Sequence, residues 1–467
     1  MKLWILWWEL VRQFRPACGR TRTFLWLAVC LVAMTIRSDL LGVTSYIRCL
    51  GLFEACYDRI LDFFHSNALH VNSLTRIWVS LILGRHPSLL RVNGRIVLVG
   101  DGLKVPKSGR KMPAVKRLHQ PSEANTKPSF IMGHSCQAIA VLVGSLESVL
   151  AIPLASRIHE GLVFSNRDRR TLLDKMALLL DSLAIREPFY FVADAFYASG
   201  KMIRPLLEKN NHLITRVRSN AVAYRPPRPS EQPRGRGRPK KYGRKVELRS
   251  LFGPSERMQV ASSPVYREKN VPIEFRCLDL LWRPIGTRVR FVFLRHPTRG
   301  RIILMSTDTT LPPLEIIRLY GLRFKIEISF KQALHTVGAY AYHFWMRTMK
   351  PLKRFAGNQY LHREDKTYRD AVRRKLQAYH RHIQIGLIAQ GLLQYLSSVF
   401  PKLVWTHFGS WIRTVRPGIY PSEKVTAVAM SHSFPHFLAD SSSAPILTKF
   451  LRDRIDFNRT EASRLVA

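Results

Sequence analysis

The chain has 467 residues, 46% of them hydrophobic, which is enough for a real core and excludes an intrinsically disordered chain. Lys and Arg total 74 against 32 Asp and Glu, a formal charge of +42. Self-repulsion on that scale works against a compact fold, so the charge argues for a polyanionic partner; nucleic acid leads, because phosphate contacts supply most sequence-independent affinity.

Residues 1–90 read as helices rich in Leu, Trp and Phe. The opening MKLWILWWEL has about six apolar residues before Glu9, short of the 7 to 15 of a signal peptide. The longest apolar run, Phe24 to Ile36, is about 13 residues, against the roughly 18 of a spanning helix. A buried helix is expected there, no membrane partner, and a cytoplasmic chain. The six cysteines form no C-x-x-C pair and read as buried free thiols.

From residue 95 the texture changes. RIVLVGDG (95–102), FIMGHSCQAIAVLVG (130–144) and SVLAIPLAS (148–156) read as strands. RDRRTLLDKMALLLDSLA (167–184) has helical periodicity. FYFVADAFYASG (189–200) is another buried strand ending in an acid. The helix KMIRPLLEKNN and the strand HLITRVRS follow. Three strands, helix, strand, helix, strand make an α/β core. Residues 225–245 are Pro- and Gly-punctuated and basic, a linker or an extended nucleic-acid-binding arm. Residues 256–307 alternate as four antiparallel strands. PPLEIIRLYGLRFKIEISFKQAL (312–334) returns to helix, and the remainder is mostly helical.

Two acids follow apolar strand runs: Asp101 after IVLVG and Asp194 after FYFVA. The ligand end of such a sheet lies beyond its strands. Two carboxylates on neighbouring strands repel unless a cation sits between them, and carboxylate oxygens select hard ions such as Mg²⁺. A third acid, Glu327, lies in the helix YGLRFKIEISFK. At helical spacing Tyr320, Arg323, Glu327 and Lys331 share a stripe of roughly 80°. The spacing fits an exposed Glu327–Lys331 pair as well as a metal-holding acid beside phosphate-holding cations.

Tyr320-x2-Arg323-x3-Glu327, with Asp101 in VLVGDG and Asp194 in FVADAFYASG, resembles the Tyr-Arg-Glu-Lys signature of bacterial insertion-sequence DDE transposases. The resemblance covers residues 95–345. It implies an α/β, RNase H-like core interrupted by a mostly β insertion and flanked by helical regions. It divides the chain into a helical N-terminal region (1–90) for terminal repeats, core (91–219), basic arm and insertion (220–311), the catalytic Glu helix (312–345) and C-terminal helices (346–467) for dimerisation. The implied reaction is cut-and-paste transposition, with Asp101, Asp194 and Glu327 holding two Mg²⁺ (Mn²⁺ as a substitute). A repurposed, non-catalytic DNA-binding protein of the same fold is the alternative. Implied partners are double-stranded DNA, as terminal inverted repeats and target, and a second copy in a homodimer. Tyr320, Arg323 and Lys331 would grip phosphate, as would Lys104 and Lys107. Arg236-Gly237-Arg238-Pro239 with Lys240 resembles an AT-hook core for a narrow A·T minor groove. Trp282 is a core tryptophan or a platform for a displaced base. The signature's Lys position is occupied here by Leu334, leaving Lys331, one turn beyond Glu327, as its substitute.

Overall fold

A computed structural model describes residues 2–40, 42–120, 128–145, 148–227, 240–253, 257–409, 411, 413–415, 418–440 and 442–458. The N-terminal region is helical as expected: α1 (Lys2–Val11), α2 (Thr21–Ile36), α3 (Thr44–Leu50), α4 (Cys56–His65) and α5 (Val71–Arg85). The apolar run at 24–36 is α2, buried over most of its length. Among the described residues no single helix is long and apolar enough to cross a membrane, and the six cysteines are free thiols.

The strands of the first half are β1 (Arg91–Val92), β2 (Arg95–Pro106), β3 (Lys116–His119), β4 (Phe130–Gly144), β5 (Val149–Ile158) and β6 (Leu162–Val163). Helix α6 (Leu172–Ser182) starts at Thr171, whose hydroxyl accepts from Asp174 in a capping box. Then come β7 (Phe189–Ala193), α7 (Gly200–Glu208) and β8 (His212–Arg216). β4 lies antiparallel between β5 and β2. β7 is parallel to β2, and β8 parallel to β7. The resulting order β5-β4-β2-β7-β8, with three antiparallel strands followed by two parallel ones, is the RNase H-like arrangement. Along β2, Ile96 and Leu98 enter one apolar cluster while Val97 and Val99 enter the other. Both faces are covered, which explains the unbroken apolar run in the sequence.

The insertion contributes β9 (Val222–Tyr224), β10 (Lys245–Glu247), β11 (Gln259–Ser262), β12 (Pro272–Trp282), β13 (Thr287–His296) and β14 (Gly300–Ser306). β14 pairs antiparallel with β8, so the insertion prolongs the core sheet. β9 and β10 pair with each other, Tyr224 opposite Lys245. The two ends of the basic segment are thereby brought together, while residues 228–239 within it lie outside the described residues. Trp282, at the end of β12, is buried in the core; the base-platform option is corrected to a packing role.

The helix expected over 312–334 is α8 (Pro313–Gly321), a 3₁₀ turn (Leu322–Phe324), α9 (Lys325–Gln332) and a π turn (Ala333–Val337). β15 (Gln359–Tyr360) pairs with β6. Helix α10 (Lys366–Val399) precedes α11 (Pro401–Phe408), α12 (Glu423–Ala439) and α13 (Pro445–Arg452). From Ala378 onward α10 is almost wholly buried. Its amides tie the layers together: Gln384 donates to the Leu154 carbonyl and Gln394 to that of Ala151, both on β5. The two helical ends of the chain share a core, where the Trp4 indole N–H donates to the Met430 carbonyl and its ring stacks on Phe437.

Candidate active site

Asp101 and Asp194 come from adjacent parallel strands. The pairing of β2 with β7 runs from Ile96–Phe189 to Val99–Val192, and Asp194 is the first residue beyond β7. Asp101 lies within the longer β2, two residues past the last of those pairs. Gly100 makes the approach possible: a Cβ there would meet the buried Phe191 ring at 2.2 Å. Asp194 caps a short 3₁₀ turn, accepting the Phe196 N–H at 3.0 Å. Its carbonyl accepts the Thr215 hydroxyl at 2.7 Å.

Glu327 arrives from the far side of the insertion, on α9. Buried Gln390 of α10 donates to the Ser329 carbonyl at 3.0 Å and to its hydroxyl at 3.2 Å, pinning α9 two residues from Glu327. Arg323, in the 3₁₀ turn, links the acids. Its Nη1 donates to Asp101 Oδ2 at 2.8 Å and its Nη2 to Glu327 Oε1 at 2.7 Å. Burial works against the guanidinium charge, but Asp101 and Glu327 outweigh it and hold the Arg323 pKa above its ordinary value.

The carboxyl of Asp101 lies in a perturbing environment. Burial pushes its carboxyl up to about 6, with Asp194 and Glu327 adding repulsion and Arg323 and the Gly102 N–H opposing. Tyr197 is buried, and its hydroxyl accepts a hydrogen bond from Gln137 at 3.1 Å. Burial first, then the charges of Asp101 and Asp194, push its pKa up. The two Asp residues therefore share one neighbourhood, and Arg323 brings Glu327 to it. The donor set is all hard oxygen, which fits a divalent cation. Among the described residues no three acid, His or Cys side chains close into one metal cage; instead, the guanidinium supplies the positive charge between Asp101 and Glu327.

The expected phosphate-binding cations separate into groups. Tyr320 lies against Arg323; burial raises its pKa, while Arg323 and Arg216 lower it. Lys331 is exposed on α9, and Leu334 packs against the core. Lys104 is exposed and bonded to the His119 carbonyl. Lys107 is a correction: it is buried, its ammonium donating to the carbonyls of Tyr340 (2.6 Å) and Tyr342 (3.1 Å), and burial lowers its pKa to about 8. That ties it to the fold and removes it from a DNA-facing set. Lys240 is exposed, whereas Arg236 and Arg238 lie outside the described residues. Lys325, off the predicted stripe, is buried with its ammonium 3.8 Å from the centre of the Tyr266 ring.

Sequence reasoning missed Arg216 and Tyr197. Arg216, Tyr320 and Arg323 line a cleft of about 540 Å³ between the insertion and the α8–α9 turn. A usable signal existed for each: Tyr197 follows Asp194 by one turn, and Arg216 ends the strand next to that of Asp194.

Residues 52–269 match the family model described as DDE superfamily endonuclease. The match is under half of the chain; it contains Asp101 and Asp194 and stops before Glu327. No curated protein matches the chain. Among solved structures, the piggyBac transposase synaptic complex with hairpin DNA is similar over 95% of this chain and 81% of that one. Its identity is 12% and its TM-score 0.35, a likeness too distant to bear on function.

Proposed function

We propose that this chain is a DDE-type DNA endonuclease acting as a cut-and-paste transposase. One observation carries the reading: two acids come from adjacent parallel strands within the segment that matches the endonuclease family, and Arg323 joins one of them, Asp101, to a third acid, Glu327, from beyond the insertion. Asp101, Asp194 and Glu327 would hold divalent cations, Mg²⁺ by donor type, and ions bound there would activate the attacking oxygen and stabilise the leaving one.

The chain's own residues do the positioning. Gln390 fixes the helix that carries Glu327, and Gly100 lets β2 close on Phe191 beside the acids. Arg323 neutralises Asp101 and Glu327, and with cations held there it would be free for a DNA phosphate together with Tyr320, Arg216 and the exposed Lys331. The net charge of +42 draws the polyanion in. Two protomers on two element ends, in the cytoplasm of a bacterial cell, complete the proposal.

Two observations favour a second reading, a DNA-binding protein that has lost catalysis: Leu334 replaces the signature lysine, and Arg323 already neutralises two of the three acids. Incubating the protein with Mg²⁺ and DNA carrying the repeats that flank its coding region separates the two. Cleavage supports the first; tight binding with none supports the second.

A further inference from the structure

We infer that the cleft between the start of α5 and one face of α10 is a phosphate-binding site, separate from the three acids. It is an open cleft of about 760 Å³. On α10, Asp370, Arg373, Arg374, Gln377 and Arg381 all line it, and at helical spacing they fall within an arc of roughly 100°.

The facing wall is the first turn of α5. His70 provides no side-chain cap to that 15-residue helix. The N–H groups of Val71, Asn72 and Ser73 have no acceptor within the helix, and all three residues line the cleft. Such a terminus favours an anion.

The independent sign of a ligand is Arg381. The residue is 4% exposed, and no carboxylate pairs with it among the described residues. Nε donates to the Leu69 carbonyl at 3.2 Å and Nη1 to that of Phe64 at 2.9 Å. Nη2 makes no hydrogen bond to a described residue and is not among the fully buried unsatisfied atoms, on a residue that lines the cleft. A buried cation satisfied only by carbonyls lacks a counter-charge. The one acid in the cleft, Asp370, is engaged by Arg373 at 2.7 Å. Arg374 is exposed and makes no ion pair with a described residue. Two unpaired guanidinium groups and an uncapped helix start suit the tetrahedral oxygens of a phosphoryl group. The source is a DNA backbone phosphate or a free phosphate; naming DNA rests on the proposed function, the site itself does not.

The test uses full-length protein in EDTA, so it is independent of the three acids. Wild type, Arg374→Gln and a control, Lys402→Gln on α11, are compared in two arms. In the first, anisotropy of a labelled duplex is followed from about 50 to 200 mM salt. Loss of one phosphate contact shrinks the affinity ratio across that range by about 3.5-fold. In the second, melting temperature is measured in inorganic phosphate against chloride of equal ionic strength. A smaller salt dependence in Arg374→Gln, but not in the control, supports the site with DNA as its source. Loss of phosphate stabilisation alone supports it with free phosphate as its source. If neither arm changes, or the control changes equally, the site is overturned. Arg381→Gln is a second variant, scored only if its circular dichroism matches wild type.

Discussion

Asp101→Asn is expected to make the folded protein more stable at neutral pH. The wild-type carboxyl is raised from 3.8 to about 6 by burial, with Asp194 and Glu327 contributing. Its side chain is only 19% exposed. A rise of that size corresponds to about 3 kcal/mol, an order-of-magnitude ceiling. The folded state holds this proton more tightly than the unfolded chain does. The stabilisation is therefore fully present below pH 3.8 and is lost as pH rises through about 6. Asparagine is neutral throughout and can still accept from Arg323. Urea melts of both proteins at pH 4.5 and 7.5 read the difference. The variant should gain about 1 kcal/mol at pH 4.5 and up to about 3 kcal/mol at pH 7.5. An Asn variant no more stable than wild type at pH 7.5, with unchanged m-values, would refute the claim that the site strains the fold.

The other predictions concern the surroundings of the acids. Arg323→Gln removes the charge between Asp101 and Glu327, so Mn²⁺ should bind about tenfold more tightly by calorimetry, while cleavage falls if Arg323 also grips DNA; weaker Mn²⁺ binding contradicts the bridging role. Gly100→Ala drives a Cβ into Phe191 and should cost about 1–3 kcal/mol in denaturant melts; a neutral effect would mean that the ring has room to move. Gln390→Leu leaves the buried Ser329 groups without their donor and should cost about 1–3 kcal/mol, with a larger loss of cleavage than of DNA binding. Equal losses would place Gln390 outside the positioning of Glu327.

Much of this was legible in the chain. The strand runs leading to Asp101 and Asp194 announced themselves because both faces of the sheet are covered, so apolar residues continue until the proposed site begins. The stripe of Tyr320, Arg323 and Glu327 followed from helical spacing alone. What spacing could not show was contact across the fold. Arg323 reaches Asp101 from 222 residues away, and nothing local distinguishes that from a phosphate ligand. Lys107 looked like a solvent-facing cation because its acceptors, the carbonyls of Tyr340 and Tyr342, carry no signature in sequence. The closed base of the basic arm likewise depends on pairing between two three-residue strands, too short for a periodicity. Trp282 was undecided between core and platform until the insertion's place in the sheet was known.

Cleavage by single-site variants tests the central claim most directly. Wild type, Asp101→Ala, Asp194→Ala and Glu327→Ala are each incubated with Mg²⁺ and a duplex bearing the flanking repeats, and binding of the same duplex is measured in EDTA. Each substitution is expected to lower cleavage by more than about 100-fold and to leave binding intact, since it removes negative charge from a DNA-facing surface. Cleavage that survives any one of the three substitutions would contradict the assignment of that acid to the catalytic centre.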